Sequence, residues 1–214
     1  MFKQLQLQAY KVDLLKRACP ADSVLDFGGM WGVQGKYAML CKELGCKHVT
    51  IIDTLEVPEW NSVQGSTDGL TFLKGDFADP FFMANLSETC DLSIAYSIML
   101  HQKNLLDVLG SILERTRETF CFCQPMLRES ETSQSLIFLP GHPDEQSLHP
   151  YPGQDTASIF QSQHLTHNFW IWGMTPSFMR AALECYGFII SYEEEFEDLP
   201  NPRWFWWGCI ATRR

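Results

Sequence analysis

Several common sequence features are missing from this chain of 214 residues. No apolar run approaches the roughly 18 to 20 residues needed to cross a bilayer, so we expect no membrane-spanning segment. Residues 1–20 have no continuous apolar core of signal-peptide length, so we expect no secretion signal. The eight cysteines include no CxxC pair and no spacing typical of a disulfide framework or a zinc site. We therefore predict a soluble, cytoplasmic protein with reduced thiols.

Positive charge is also scarce in the composition. The chain has 16 Lys and Arg against 26 Asp and Glu, which gives a formal net charge of −10. A phosphate backbone is normally bound by a basic face or stripe, so this composition argues against nucleic acid as a partner. With 45% hydrophobic residues, the chain can bury one substantial core but is short for two full domains. We predict a single domain over residues 1–214, present as a monomer or a homodimer.

Strand and helix patterns alternate along most of the chain. Apolar runs predict seven strands, over 23–27, 48–52, 70–73, 91–95, 120–124, 188–192 and 204–212. Periodicity, caps and breakers predict helices over 12–18, 33–44, 105–115 and 175–186. The alternation predicts an α/β fold with a doubly wound, mostly parallel seven-stranded sheet. The last two strands can pair antiparallel, which makes the C-terminal strand antiparallel to the rest.

The composition changes over residues 128–172, which are rich in Ser, Gln, His and Pro. Four prolines in this segment would break any long helix or strand. Long loops of this kind within a compact domain are usually functional or mobile. We therefore predict an insertion that serves the functional site.

Acidic residues and glycines follow the predicted strands at regular intervals. Residues 23–32 read SVLDFGGMWG, and such glycines let the backbone approach a ligand at a helix N-terminus. Asp53 closes the second strand, where a carboxylate can accept hydrogen bonds from both hydroxyls of a ribose. After the third strand, Asp76 can accept from an adenine amino group while Phe77 packs on the ring face. The fourth strand is followed by Tyr96 and Ser97, which face the same edge of the sheet.

Together these motifs resemble the class I S-adenosylmethionine (SAM) dependent methyltransferases, over nearly the whole chain outside residues 128–172. The resemblance implies SAM as cofactor and S-adenosylhomocysteine (SAH) as product. It implies that Asp26, Gly28 and Gly32 hold the methionine end of SAM, Asp53 the ribose, and Asp76 with Phe77 the adenine. Met30 stands where the family has its central glycine, so we expect the loop to cross the cofactor at a different height or angle. The full predicted cofactor set is Asp26, Gly28, Gly29, Gly32, Asp53, Thr54, Asp76, Phe77, Tyr96 and His101.

Two histidines are candidate catalytic residues. His101 follows the fourth strand, where many methyltransferases of this class have a histidine near the cofactor; here it could bind SAM, act as a base, or pack. His167 lies in the insertion, which we expect to fold over the site as an acceptor-binding lid. No third ligand accompanies His164 and His167 at a metal-binding spacing, so we predict no metal. The predicted acceptor-binding set is Trp31, Tyr96, His164, His167, Trp170 and Trp172.

The function predicted is methyl transfer from SAM to oxygen or nitrogen of a small molecule. An RNA methyltransferase stays open, because enzymes similar to those that modify wobble uridine carry a bulky residue at the position of Met30. A non-catalytic methyltransferase-like subunit stays open too, because Met30 and the lack of an obvious base would allow it. A nicotinamide-dependent oxidoreductase is disfavoured, because its fingerprint needs a glycine at position 30 and no Tyr-x-x-x-Lys dyad follows.

Overall fold

A computed structural model of the chain describes residues 8–30, 33–57, 60, 67–129, 136–139 and 171–214. The helices in these ranges are α1 (Ala9–Ala18), α2 (Lys36–Glu43), α3 (Pro80–Asn85), α4 (Leu105–Arg115) and α5 (Pro176–Cys185), with a 3₁₀ turn at Met99–His101. The strands are β1 (Ser23–Phe27), β2 (His48–Asp53), β3 (Leu70–Lys74), β4 (Cys90–Tyr96), β5 (Thr116–Leu127), β6 (Leu136–Leu139), β7 (Ile171–Met174), β8 (Phe188–Asp198) and β9 (Trp204–Arg213). None of the helices in these ranges is long and apolar enough to cross a membrane.

Seven of the strands form one sheet, in the order β3-β2-β1-β4-β5-β9-β8. Strands β1 to β5 pair in parallel, whereas β9 lies antiparallel to both of its neighbours, β5 and β8. The strand order reverses between β1 and β4, because the chain first winds outward through β3 and then returns to the other side of β1. The predicted doubly wound, seven-stranded sheet with an antiparallel C-terminal strand is confirmed.

Strand β9 illustrates why the sheet is stable. Residues 204–211 are all buried, although side chains along a strand point alternately to opposite faces. A strand with two covered faces is expected to be a continuous apolar run rather than an alternating one, and residues 204–207 are all aromatic. Helix α1 packs against β5 and β9 as well as against α2, while α3 packs against α4. These contacts place α1 over the part of the sheet formed by β5 and β9.

Several predicted boundaries were wrong. Helix α2 begins at Lys36 rather than at residue 33, because Gly35 adopts a left-handed conformation with φ of 73° directly before it. The short helix α3 was missed, although Asp79 caps it by accepting a hydrogen bond from the Phe81 amide. Strands β6 and β7 pair antiparallel, so regular structure resumes at Ile171 and not at residue 175.

The cap of α5 is as predicted: the Thr175 side chain accepts a hydrogen bond from the Phe178 amide at 3.3 Å. Most of the predicted insertion, namely residues 130–135 and 140–170, lies outside the described residues. Its role as a lid and the single-domain organisation of the chain therefore stay predictions.

Candidate functional site

The carboxyl ends of β1, β2 and β4 lie side by side where the strand order reverses. Phe27 pairs with Ile52 of β2 and with Ala95 of β4, so the next residue of each strand leaves the sheet at one edge. The Gly28 amide donates to the Ile52 carbonyl at 2.8 Å, and the Gly75 amide donates to the Asp53 carbonyl at 3.0 Å. The fold thus brings the acids and glycines that follow β1, β2 and β3 to one place, the common position for ligands in open α/β sheets.

Asp26 is a buried carboxylic acid beneath the glycine loop. Its residue is 2% exposed, and its Oδ2 has no hydrogen-bond partner in the described part of the chain. Burial, with a smaller contribution from the charge of Asp53, raises the pKa of Asp26 to about 8. A Cβ atom at Gly29 would overlap with Asp26 Oδ2, so only glycine lets the loop backbone pass this close. Gly28 has φ of +72°, which also favours glycine.

Asp53 holds the loop from the neighbouring strand. Its Oδ2 accepts a hydrogen bond from the Met30 amide at 2.9 Å, and its Oδ1 accepts one from the Leu55 amide at 3.0 Å. These two hydrogen bonds fix the carboxylate of Asp53 between the glycine loop and the residues that follow β2. The Met30 side chain is fully buried in the core. The residue that replaces the family's glycine therefore does not project from this edge of the sheet.

The third acidic motif lies at the same edge. Asp76 is exposed and accepts a hydrogen bond from the Ala78 amide through Oδ1 at 2.8 Å. Phe77 is buried and meets the ring of Phe27 edge-on, with centroids 5.9 Å apart. Thr54 is exposed directly after β2. The Phe77 ring also lies 3.8 Å from the position that a Cβ at Gly28 would occupy, so it borders the glycine loop.

A buried lysine that the sequence did not single out lies beside these residues. Lys11 of α1 is only 6% exposed, and its Nζ donates a hydrogen bond to Ser97 Oγ at 2.9 Å. The same nitrogen lies 4.6 Å from the ring centroid of Trp206, 5.6 Å from that of Tyr96 and 6.0 Å from that of Tyr37. Burial lowers the pKa of Lys11 to about 8. A basic group with these surroundings can lose its proton near neutral pH.

The sequence did contain a signal for this lysine. Lys11 shares one face of α1 with Leu14 and Leu15, and these three are the buried residues of that helix. A charge on the apolar stripe of an amphipathic helix is a buried charge that needs a partner. Its partner, Ser97, adopts a left-handed conformation with φ of +58°, which is uncommon for a residue other than glycine. Such backbone outliers cluster at functional sites.

The remaining predicted catalytic and acceptor-binding residues divide into two groups. His101 is half-buried in the 3₁₀ turn, and Trp172 of β7 donates from its indole nitrogen to the Gln102 carbonyl at 2.8 Å. The Tyr96 hydroxyl donates to the Lys11 carbonyl at 3.0 Å, which directs it into the core beneath α1. The others lie outside the described residues, and their roles stay predictions: Trp31, Gly32, His164, His167 and Trp170.

No family model and no curated protein matches the sequence of this chain. Solved structures do match its fold. The 1,6-didemethyltoxoflavin N1-methyltransferase of Burkholderia thailandensis, solved with 1,6-didemethyltoxoflavin and SAH, aligns with a TM-score of 0.61 at 17% identity over 96% of this chain and 77% of its own. The magnesium protoporphyrin IX methyltransferase of Synechocystis PCC 6803, solved with SAH, aligns with a TM-score of 0.59 at 13% identity over 96% and 83%.

A SAM-dependent methyltransferase of Mesorhizobium loti aligns with a TM-score of 0.61 at 16% identity, over 94% of this chain and 96% of its own. All three matched proteins are methyltransferases, and the aligned regions cover nearly all of this chain. Identities this low are informative about the fold and not about the substrate. The chain has the fold of the class I SAM-dependent methyltransferases.

Proposed function

We propose that this chain binds SAM at the carboxyl edge of β1 to β4 and transfers its methyl group to oxygen or nitrogen of a small molecule. The observation that carries this proposal is Asp26, a buried acid beneath a glycine loop, whose Oδ2 lacks a donor in the described residues. A buried carboxylate without a partner is unfavourable unless a ligand supplies one. The α-ammonium of a bound amino acid, such as the methionine end of SAM, is a donor of this kind.

The rest of the edge fits the other groups of the same cofactor. Asp53 is a carboxylate at the end of β2 beside the glycine loop, a position that suits a ribose diol. Asp76 is exposed at the end of the next strand and suits an adenine amino group, while Phe77 offers an apolar surface to the ring. On this proposal, Asp26, Asp53 and Asp76 would accept hydrogen bonds in the order in which an ammonium, a diol and an amino group follow each other along SAM.

Little chemistry is needed from the protein beyond positioning. SAM supplies a methyl group on a sulfonium, which is already a good leaving group, so alignment of the acceptor accounts for much of the expected acceleration. A base is needed only when the acceptor carries a proton on its nucleophilic atom. We assign this proton transfer to Lys11 acting through Ser97 Oγ, because Nζ and Oγ are 2.9 Å apart where β4 leaves the sheet. His101 is the competing candidate from the sequence.

A small acceptor is favoured by charge and by surroundings. The net charge of −10 argues against a polyanionic substrate such as RNA. The matched enzymes include one solved with 1,6-didemethyltoxoflavin and one named for magnesium protoporphyrin IX. Both of these molecules are small compared with RNA. Trp172 lies beside the 3₁₀ turn that follows β4, within reach of an acceptor that approaches Ser97. We propose that Trp31, His164, His167 and Trp170 complete the acceptor site.

Calorimetric titration with SAM and with SAH tests the cofactor site. We expect binding by the wild-type chain in the micromolar range and loss of binding in Asp53→Ala, because the diol loses its acceptors. Asp13→Ala is the matched control, since Asp13 is an exposed acid of α1 that forms an ion pair with Lys16 one turn along the helix. Absence of SAM and SAH binding by well-folded wild-type protein would refute the proposal.

An acceptor screen tests the transfer itself. Small phenols, carboxylic acids and heterocyclic amines are incubated with SAM, and methylated products are identified by mass spectrometry. For an acceptor that arrives protonated, Lys11→Met should lower kcat and leave SAH affinity unchanged, while His101→Gln retains activity. The reverse pattern would assign the proton transfer to His101. Intact SAM binding without turnover on any acceptor would favour the non-catalytic alternative.

A further inference from the structure

Three cysteine side chains converge at the opposite edge of the sheet, where β1 and β2 begin. Cys19 follows α1, Cys41 lies within α2, and Cys46 follows α2 just before β2. The Sγ atom of Cys19 is 3.4 Å from that of Cys46 and 4.0 Å from that of Cys41. All three sulfur atoms lie within 4.8 Å of one another. We call this group the thiol cluster.

The local backbone explains why Cys41 and Cys46 meet. Gly45 has φ of +92° and turns the chain sharply after the helix. The Cys46 amide then donates to the Cys41 carbonyl at 3.0 Å, which folds residue 46 back onto the last turn. Cys19 joins them because the segments before β1 and β2 pair, with the Lys47 amide donating to the Ala21 carbonyl at 3.2 Å. A separation of five residues between two of the thiols is no recognisable motif, so the sequence predicted no metal site.

The separations of the sulfur atoms match a shared metal ion better than a disulfide. A disulfide requires about 2.05 Å between sulfurs, and all eight cysteines are free. With metal–sulfur bonds of about 2.3 Å, tetrahedral or trigonal ligands lie about 3.8 to 4.0 Å apart. Of the two separations, 4.0 Å lies at the upper end of this range and 3.4 Å lies below it. Small movements of the side chains would therefore place all three sulfurs at bonding distance from one ion.

Two further observations point to thiolates rather than to apolar packing. The Ala21 amide donates a hydrogen bond to Cys46 Sγ at 3.4 Å, and amide donors of this kind stabilise metal-bound sulfur. All eight cysteines lie within the described ranges. Among the described residues, only Cys19, Cys41 and Cys46 bring three potential metal ligands together. Cys41 and Cys46 are buried, whereas Cys19 is partly exposed and leaves a route for an ion to enter.

We propose that Cys19, Cys41 and Cys46 bind one soft metal cation, Zn²⁺ or Cu⁺, as three thiolates. Thiolate ligands favour these two ions, Cu⁺ with three sulfurs alone and Zn²⁺ with a water in the fourth position. The ion would join the end of α1, the end of α2 and the connection into β2, so its role is structural. The thiol cluster lies across the sheet from the candidate methyl-transfer site, and this proposal is independent of the proposed function.

Metal titration of the full chain tests the proposal. Protein reduced with a phosphine and stripped by chelator is titrated with Zn²⁺, and separately with Cu⁺, each in competition with a chromophoric chelator. We expect one ion bound per chain, and the ion that binds more tightly is the one that the thiol cluster prefers. X-ray absorption of the loaded wild-type protein should show sulfur neighbours at about 2.3 Å.

Variants show whether these thiols are the ligands. Cys19→Ser should lose binding, because it removes the partly exposed ligand and leaves the buried pair in place. Cys185→Ser should bind as the wild type does, since Cys185 is exposed and outside the thiol cluster. The bound ion should raise Tm of wild type and Cys185→Ser but not of Cys19→Ser. Failure of reduced wild-type protein to bind either ion, a shell of oxygen and nitrogen neighbours, or full binding by Cys19→Ser would overturn the proposal.

Discussion

At the scale of single residues, the candidate site is unusual in holding two buried ionisable groups of opposite sign. Asp26 beneath the glycine loop and Lys11 beneath the exit of β4 both have a pKa of about 8, the first raised and the second lowered by burial. Groups buried for stability alone are normally paired with each other or hydrogen-bonded throughout. Perturbed groups at the open edge of a sheet are instead typical of ligand binding and proton transfer.

Asp26 makes cofactor binding a proton-linked reaction. With a pKa of about 8, this carboxyl is mostly protonated in the free protein at pH 7. An ammonium partner favours the carboxylate, so SAH binding at pH 7 should release up to about one proton, and SAH affinity should rise from pH 6 to pH 8. The dependence of binding heat on the ionisation enthalpy of the buffer measures this release. Asp26→Asn should abolish it, and a wild-type heat that does not depend on the buffer would contradict the prediction.

Lys11 should reveal its burial in the pH dependence of stability. Its pKa is lowered from 10.5 to about 8, so between these values the unfolded chain binds more protons than the folded one. The free energy of unfolding therefore rises with pH through that window, by about 3 kcal/mol from this residue. Urea unfolding of wild type and Lys11→Met at pH 7 and pH 10.5 isolates the contribution of Lys11. The neighbouring titratable groups Tyr37, Tyr96 and Cys123 are present in both proteins, so their contributions cancel in the comparison.

The exposed Lys16 provides the control for that measurement. Lys16→Met should differ from wild type by a similar amount at both pH values, since Lys16 is a solvated partner of Asp13. A difference between wild type and Lys11→Met that stays constant from pH 7 to pH 10.5 would show that Lys11 is solvated in the folded protein.

At the scale of elements, the two-stranded sheet of β6 and β7 is attached to the main sheet near the candidate site. Trp172 of β7 donates to the Gln102 carbonyl, which follows the 3₁₀ turn after β4. Trp172→Phe keeps most of the aromatic surface and removes that hydrogen bond, so it should lower the free energy of unfolding by about 1 kcal/mol. If β7 helps to hold the acceptor, KM for the acceptor rises while calorimetric SAH affinity stays unchanged. Weaker SAH binding would instead place Trp172 with the cofactor.

The elements that the sequence predicted well are those with a strong local pattern. The predicted limits of β1 and α4 agree with the structure, because β1 is an apolar run that ends before Gly28 and Gly29 and α4 has a strong helical period of apolar residues. Strand β8 continues to Asp198, whereas the predicted strand ended at residue 192. The prediction missed the second half because it lies at the edge of the sheet and is a largely exposed acidic run. Pairing with β9 keeps that half extended, and pairing leaves no mark in the composition of a solvated edge.

The sequence could predict only those parts of the candidate site whose positions depend on the register of the strands. Asp26, Asp53 and Asp76 meet because each follows or closes a strand of one parallel sheet, which the order of elements already implies. Lys11 and the thiol cluster arise from the packing of α1 on α2 and on the sheet. The relative placement of helices depends on many side chains at once, so no single spacing in the sequence encodes it.

At the scale of the whole molecule, the sheet separates two sites of different chemistry. The carboxyl edge gathers acids, a glycine loop and Lys11, whereas the amino edge gathers the thiol cluster. Hydrogen bonds with Cys19 and Cys46 dominate the raised pKa of the Cys41 thiol and the charge of Asp26 contributes least, so the two sites are only weakly coupled and should contribute nearly additively. Loading the thiol cluster should therefore raise stability and leave the affinity for SAH unchanged.

Net charge gives the sharpest test of the RNA alternative. Nucleic-acid affinity comes largely from Lys and Arg that displace counterions from phosphates, and its logarithm falls with the logarithm of salt concentration. A chain with 26 acidic and 16 basic side chains should show no saturable binding to a fluorescent tRNA-sized RNA, even at low salt. Fluorescence anisotropy measures this, with a basic RNA-binding protein of similar size as the positive control. SAH is a zwitterion without phosphate, so its binding should change little over the same salt range. Saturable RNA binding that weakens steeply with salt would mean that a local basic surface outweighs the overall charge, and RNA would then replace a small molecule as the favoured acceptor.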